Sequence, residues 1–451
     1  MLSRSILACV LLAIALRPAK PAPSAAAGDL PPILYTVASS YEPLAWMHGA
    51  DRFPSGATII VRDENRERAL VLDFAASADP AVSFEGQRVL FAGKVHSQDH
   101  WQIWELALES GTVHPITSGA DDCVRPFYLP EDRIVYACRV QGRFAIERLD
   151  LSGKNPLLLT YGPANFLPTD VLRDGRILFE AGFPLGSENV PEIYTVYSDG
   201  SGVESYRCDH GQARHSARQV HSGDVIFASS HGLARFTSAR AHSVPLDAPA
   251  GQYAGDIAET ASGDWLAAWR PNAAAQFRLM RWTPGSADFK PALEPVSANV
   301  IQPVLLASRA IVNRHPSGLH DWPNANLLCL NAYTSKYKFV PGSIHSVRIY
   351  VRDDGGNSKL LGTAPVERDG SFFVQVPADQ AIQIQLLDAA GKTLQREAGF
   401  FWMRRGEQRG CVGCHAGPET SPENAVPIIL LKSTTPADLT GASPQSAAGG
   451  H

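Results

Sequence analysis

The sequence is poor in the residues and motifs on which several function classes depend. Its 451 residues include only 7 cysteines and 4 methionines, and 45 acidic residues outnumber 40 lysines and arginines. The net charge of −5 offers no basic surface for nucleic acid or anionic lipid, so we expect no nucleic-acid partner. The sequence contains no Ser-nucleophile elbow, His-Glu-x-x-His, Walker loop or dinucleotide-binding fingerprint. Hydrolase and nucleotide-dependent chemistry therefore have no support in it.

Long apolar runs are also scarce. The apolar run near the N-terminus, Ile6 to Leu16, has 11 residues, too few for the roughly 20 that span a bilayer. It follows Arg4 and precedes the small residues Ala25 to Ala27, which is the pattern of a secretory signal peptide. We expect residues 1–27 to be a signal peptide cleaved after Ala27. The mature chain would then act in the periplasm or be secreted, without a membrane span.

The chain is rich in short apolar strands and in turn residues, with 37 glycines and 33 prolines. Apolar tetrads that follow a turn signal recur at intervals of 40 to 48 residues. They are Arg88-Val89-Leu90-Phe91, Arg133-Ile134-Val135-Tyr136, Arg176-Ile177-Leu178-Phe179, Asp224-Val225-Ile226-Phe227 and Asp264-Trp265-Leu266-Ala267. This period fits the blades of a β-propeller. With strands expected at Ile33 to Ala38, Thr58 to Leu72 and Ile301 to Val312, the repeats predict six blades over residues 28–312. A solenoid or a sandwich is the alternative.

A second all-β module is predicted over residues 313–432. Its strands alternate apolar and polar residues, as in an antiparallel β-sandwich of immunoglobulin-like or transthyretin-like type. The alternating segments are Ser346 to Val351, Leu360 to Ala364, Ser371 to Val376 and Ile382 to Leu387. The polar segment 433–451 is expected to be a disordered tail. The predicted fold class is therefore all-β throughout.

The most specific motif is Cys411-Val412-Gly413-Cys414-His415. It is the c-type haem attachment pattern, in which two thiols bond covalently to the haem and the following imidazole can ligate the iron. We predict one covalent haem c on Cys411 and Cys414, with His415 as an axial ligand. A zinc site or a disulfide is the alternative for the cysteines.

The second axial ligand of such a haem is left open by the sequence. No methionine follows His415, whereas Met403 precedes the motif closely and is a candidate distal ligand. His315, His320 and His345 are further candidates in the same module. Without a distal ligand the iron would bind small molecules, and with one it would mainly pass electrons.

Several segments resemble a known family. The segments Leu361 to Val366, Asp369 to Phe372, Val376 to Asp379 and Gly410 to His415 resemble the hydrazine synthase alpha subunit middle domain and its relatives. The preceding blades, notably Trp101 to Leu106 and Tyr197 to Gly202, are similar to TolB-type propeller repeats. The resemblance implies a propeller that carries a c-type haem domain.

This chain departs from the family pattern at two points. Glu419 stands where the family has the tyrosine that ligates the iron, and no second Cys-x-x-Cys-His is present. Hydrazine synthesis itself is therefore not expected.

Two further cysteine sites are predicted in the propeller. Cys208, His210 and His215 combine sulfur and imidazole ligands that suit zinc, and a buried cysteine beside solvated histidines is the alternative. The resemblance implies that this loop could face the haem domain, because the family's zinc joins propeller residues to the motif histidine. Cys123 and Cys138 lie on adjacent segments of one blade, where a disulfide or two free thiols would both fit.

The sequence therefore predicts a monohaem c-type cytochrome-like protein. It would act in electron transfer or small-molecule redox chemistry, together with a redox partner protein that the propeller docks. The alternative is a propeller-based binding or scaffold protein whose Cys-His site is structural, holding zinc or a disulfide.

Overall fold

Strands form almost all of the regular structure. The computed structural model describes residues 30–63, 66–182, 190–207, 211–239, 241–353, 355–397, 399–413 and 424–441. In these ranges the only helices are a 3-10 helix, Ala45–His48, and α1, Ile428–Lys432. No helix of the described residues is long and apolar enough to cross a membrane. The predicted signal peptide lies outside the described residues.

The first 24 strands form six four-stranded antiparallel sheets. The strands are β1 (Ile33–Ala38), β2 (Thr58–Asp63), β3 (Arg66–Ala69), β4 (Ala76–Val82), β5 (Arg88–Lys94), β6 (Gln102–Ala107), β7 (Val113–Pro115), β8 (Cys123–Leu129), β9 (Arg133–Val140), β10 (Arg143–Asp150), β11 (Leu157–Leu158), β12 (Asn165–Val171), β13 (Ile177–Gly182), β14 (Glu192–Val196), β15 (Glu204–Ser205), β16 (Arg214–Gln219), β17 (Val225–Ser229), β18 (Gly232–Phe236), β19 (Val244–Pro245), β20 (Gln252–Glu259), β21 (Trp265–Arg270), β22 (Arg278–Trp282), β23 (Phe289–Pro291) and β24 (Asn299–Leu305).

These sheets are the blades of a propeller, as predicted. The last strand, β24, pairs with β1 and completes the blade that β1, β2 and β3 begin. The innermost strands β24, β4, β8, β12, β16 and β20 each contact the next around the ring. The repeated apolar tetrads fall on the second strand of five blades, and Val89, Leu90 and Phe91 are 0% exposed there. They are continuous rather than alternating because neighbouring blades cover both faces. The segment Thr58 to Leu72 forms two strands, β2 and β3, rather than one.

Charged side chains fill the axis of the ring. Near the middle of five innermost strands one non-glycine residue takes a positive φ of 53–57°, as in a β-bulge. These residues are Asp79, Arg125, Ser216, Asp256 and Gln302. The Arg125 guanidinium donates to both Asp256 carboxylate oxygens at 2.9 and 2.8 Å, and Gln302 Nε2 donates to Asp79 Oδ1 at 2.6 Å. The first pair joins opposite blades across the axis, and the second joins neighbouring blades.

A disulfide joins Cys123 of β8 to Cys138 of β9, which are register partners. The sequence separation of 15 residues sets the loop that this bond closes. Closing a loop of that size stabilises a protein by about 3 kcal/mol, chiefly through the unfolded state.

A Cys123→Ala/Cys138→Ala variant should therefore lose about 3 kcal/mol of unfolding free energy in a denaturant titration. Wild type titrated under reductant should match the variant. Equal stability of the variant and the oxidised wild type would contradict the expectation.

The remaining strands form two four-stranded sheets that pack as a sandwich. The strands are β25 (Asn324–Cys329), β26 (Ser346–Arg352), β27 (Ser358–Pro365), β28 (Phe372–Pro377), β29 (Ala381–Leu387), β30 (Thr393–Arg396), β31 (Gln408–Cys411) and β32 (Ala437–Asp438). One sheet has the order β31-β25-β28-β32 and the other β27-β26-β29-β30. The four alternating segments of the sequence correspond to β26, β27, β28 and β29. Their inward residues, such as Val347, Ile349 and Val374, are 0% exposed.

The expectation of a disordered tail from residue 433 is wrong for the part that the structure describes. Ala437 and Asp438 form β32, which pairs in parallel with β28. Leu439 is 5% exposed, and its side chain lies against Gly362, where a Cβ atom would meet Leu439 Cδ2 at 2.7 Å. The pairing of β32 with β28 and the packing of Leu439 on Gly362 therefore attach this polar segment to the sandwich. Residues 442–451 lie outside the described residues.

Candidate functional site

The haem motif begins at the end of an edge strand of the sandwich. Cys411 is the last residue of β31, which runs parallel to β25. Its register partner on β25 is Cys329. Cys414 and His415 lie outside the described residues, so the structure positions the motif through Cys411 and Gly413. Gly413 has no space for a side chain, because a Cβ atom would lie 2.1 Å from the Thr334 carbonyl oxygen.

An aromatic side chain fixes the segment that leads into β31. Trp402 is 2% exposed and packs into the core of the propeller rather than that of the sandwich. Its ring centroid lies 5.5 Å from that of Phe166, 6.1 Å from that of Tyr161 and 6.4 Å from that of Phe179. Such edge and tilted packing is favourable for aromatic groups. The haem-motif strand is thus anchored in two blades.

Polar contacts fix the same segment from the other side. The Glu407 carboxylate accepts a hydrogen bond from the Gly202 amide at 3.2 Å and from Arg409 Nη2 at 2.7 Å. Arg409 Nη1 in turn donates to the Val203 carbonyl oxygen at 3.2 Å. These bonds join the strand to the turn before β15. Cys411 is therefore held at a defined distance from the propeller.

An open cleft lies beside Cys411, between the sandwich and the blade formed by β12 to β15. Its apolar lining is Val203, Leu327, Phe372, Ile384, Leu386, Phe400 and Phe401. Its polar lining is Tyr194, Glu204, Ser205, Gln395, Glu397 and Arg409. Cys329, Cys411 and Gly413 complete the wall. The combination of apolar walls and a few polar groups is typical of cofactor sites.

The residues of this cleft fit a haem. Phe372, Phe400 and Phe401 offer aromatic surface for the macrocycle, and Cys411, the first motif cysteine, lines the same space. Arg409 stands at the wall with its guanidinium 5.5 Å from the Phe401 ring centroid and provides positive charge for an anionic edge group. An apolar, partly aromatic cleft next to a motif thiol is what covalent haem requires.

The candidate distal ligands do not line the cleft. Met403 is 0% exposed and belongs to the sandwich core, where it fills space. The His315 ring stacks on Tyr197 with centroids 3.6 Å apart, and the His320 ring stacks on Trp322 at 4.6 Å. His345 is exposed. Neither Met403 nor these three histidines are therefore placed to face a group in the cleft.

The candidate zinc site is described only in part. His215 lies on β16, with Nδ1 3.2 Å from Ser216 Oγ, and burial lowers the pKa of His215 to about 4. Cys208 and His210 lie outside the described residues. Among the residues that are described, no group of three or more His, Cys, Asp or Glu side chains is arranged to hold a metal. The zinc site stays a prediction.

Sequence reasoning missed most residues of the cleft, among them the cysteine Cys329. It is 0% exposed, and by sequence it is an ordinary cysteine inside an apolar strand. Only the parallel pairing of β25 with β31 brings it beside Cys411. The signal that could have found it is its position at the end of a core strand in the module that carries the haem motif.

Comparison with known proteins identifies the module that carries Cys411. Residues 347–416 match the family of the hydrazine synthase alpha subunit middle domain. The hydrazine synthase subunit alpha of Kuenenia stuttgartiensis is 31% identical over 77 residues, which are 17% of this chain and 10% of that protein. The solved structure of Kuenenia stuttgartiensis hydrazine synthase superposes with a TM-score of 0.75 at 16% identity, over 90% of this chain and 72% of that chain. Residues 347–416 are thus hydrazine synthase alpha middle domain-like in sequence, and the chain resembles hydrazine synthase in fold.

The family-model match and the structural superposition cover different lengths of this chain. The family match begins in β26 and ends in the haem motif, so it covers most of the sandwich. The likeness in fold extends over the propeller as well. TolB from Acinetobacter baumannii matches 60% of the chain with a TM-score of 0.47 at 15% identity. The predicted fold of a propeller followed by a β-sandwich is confirmed by the sheets of the structure and by its superposition on hydrazine synthase.

Proposed function

We propose that this hydrazine synthase alpha-like protein is an exported monohaem c-type cytochrome. Cys411 and Cys414 would supply the two sulfur atoms of the covalent attachment, and His415 would be the proximal iron ligand. The observation that carries the proposal is the largely apolar cleft whose wall includes Cys411. When bound there, a haem c would supply one-electron chemistry or an iron site for a small molecule.

The protein residues would hold and orient the group. Phe372, Phe400 and Phe401 would pack on the macrocycle, and the Trp402 anchor would keep the strand of Cys411 fixed against the blade. Arg409 is held in turn by Glu407 and by the Val203 carbonyl oxygen, so its charge has a defined position. A preorganised site of this kind lowers the entropic cost of binding.

We propose small-molecule redox chemistry, with electrons exchanged through a partner protein, rather than electron transfer alone. Met403, His315, His320 and His345 do not line the cleft, which favours an iron with an open or displaceable distal position. Open haem iron binds small ligands, whereas iron with two protein ligands mainly passes electrons.

The visible spectrum of the protein exported by a host competent for cytochrome c maturation tests this proposal. We expect a c-type spectrum whose reduced form shifts when carbon monoxide is added. A low-spin spectrum that carbon monoxide leaves unchanged would overturn the small-molecule role and leave electron transfer. A Met403→Leu variant is the matched control, because its spectrum should be that of the wild type.

A further inference from the structure

A second thiol lies directly beside the haem-attachment cysteine. Cys329 ends β25, Cys411 ends β31, and the two are register partners on adjacent parallel strands. Neighbouring strands run about 4.8 Å apart, and a disulfide tolerates Cα separations of about 4.4–6.8 Å. Both side chains line the same cleft, and the Cys329 thiol donates a hydrogen bond to Cys411. Both cysteines carry thiols, and these lie within hydrogen-bond contact of each other.

The two thiols differ in access and acidity. Cys329 is 0% exposed, whereas Cys411 is half-buried at the wall of the cleft. The hydrogen bond from Cys329 lowers the pKa of Cys411 to about 7, although burial raises it. Cys411 is therefore the attacking thiol and Cys329 the resolving one.

We propose that Cys329 and Cys411 form a reversible disulfide in the haem-free protein, which blocks haem attachment until it is reduced. The inference rests on the proposed function, since a block matters only if Cys411 carries haem. It adds a redox control to the same site. The parallel pairing of β25 with β31 holds the two cysteines side by side.

The oxidant is a disulfide of the export compartment, such as glutathione disulfide or an oxidised thiol oxidoreductase. The Cys411 thiolate attacks one sulfur of that disulfide, whose S–S bond breaks and releases a thiolate with the electron pair. Cys329 then gives its proton to solvent, and its thiolate attacks the Cys411 sulfur and expels the second thiolate. Two electrons and two protons pass from the cysteine pair to the oxidant, which becomes two thiols.

Thiol mapping of the full-length protein prepared without haem tests the pairing. The reduced protein is exposed to glutathione disulfide, alkylated, and digested under non-reducing conditions. We expect one linked species that contains the peptides of Cys329 and Cys411 and is lighter than their sum by two hydrogens. Cys414→Ser should keep the link, whereas Cys329→Ser and Cys411→Ser should lose it. Linkage of Cys411 to Cys414 in the wild type, or alkylation of both Cys329 and Cys411 after oxidation, would overturn the proposal.

Haem loading in a cytochrome c maturation system tests the block. Oxidised wild type should load at least tenfold less haem than reduced wild type, and reductant should restore loading. Oxidised Cys329→Ser should load like reduced wild type. If Cys329→Ser loses loading equally, a disulfide within the motif is responsible and the inference fails. If the link forms but the reduced protein never takes haem, the proposed function fails and the blocking role fails with it. Normal loading without any link would overturn this inference alone.

Discussion

A Cys411→Ser/Cys414→Ser variant should lose all covalently bound haem while its propeller stays folded. The thioether bonds need both sulfur atoms, and serine oxygen does not replace them. Cys411 lies at the end of an edge strand and is half-buried, so serine fits there with little change in packing. The expected pyridine haemochrome signal falls from one haem per chain to the background of the assay. Circular dichroism and the unfolding midpoint should change little.

Cys329→Ser is the matched control for that variant. It alters a cysteine in the wall of the same cleft but leaves the motif intact, so it should retain one covalent haem per chain. Haem that remains covalently bound in the double variant would contradict the assignment of the motif. If Cys329→Ser lost haem equally, the loss in the double variant would be due to damage to the cleft and not to the missing thioether bonds.

Replacing Asp256 with asparagine should destabilise the propeller by about 3–5 kcal/mol, the usual cost of breaking a buried ion pair from one side. Asp256 is 2% exposed and accepts hydrogen bonds from Arg125 and Arg218, with Arg218 nitrogens at 3.2 and 3.1 Å. Removing its charge leaves the Arg125 guanidinium, which is also buried, without its closest carboxylate. Denaturant titration measures the loss. Asp288→Asn is the control, because the Asp288 pair with Lys290 is exposed and its removal should change stability by less than about 0.5 kcal/mol.

The same residue predicts a dependence on pH. Burial raises the pKa of Asp256, but Arg125 and Arg218 outweigh it and hold that pKa well below its usual range. A carboxyl whose folded pKa is lowered stabilises the fold above its unfolded pKa of about 3.9, and the contribution is lost as pH falls toward the folded pKa. The difference in unfolding free energy between wild type and Asp256→Asn should therefore have its full size at pH 6 and decrease below about pH 4. A difference in unfolding free energy that increases as the pH falls would contradict a lowered pKa of Asp256.

The sequence predicted the architecture well because its signals are local. The apolar tetrads and their turns marked the second strand of five blades, and period-two alternation marked β26, β27, β28 and β29. The same local signals did not reveal the side chains that cross the axis. Arg125 and Asp256 are separated by 131 residues, and each looks like an isolated charge in an apolar strand. Only closure of the ring brings them together.

The candidate site was predictable only where its residues are contiguous in the sequence. The motif of Cys411 is contiguous and could be recognised directly. The cleft beside it combines residues of the blade formed by β12 to β15 with residues of the sandwich. No sequence pattern indicated that Trp402 would pack into the propeller. Met403 was a reasonable ligand by distance along the chain. It lies in the sandwich core because neighbouring residues of an extended segment face opposite directions, and Trp402 takes the propeller side.

The decisive measurement is peptide mass spectrometry of the exported, mature protein after proteolysis, with the haem content of the intact chain measured in parallel. The proposal predicts one haem per chain, bound covalently to the peptide that contains Cys411, Cys414 and His415. Unmodified thiols in that peptide, or a metal-bound protein without haem from a maturation-competent host, would contradict it.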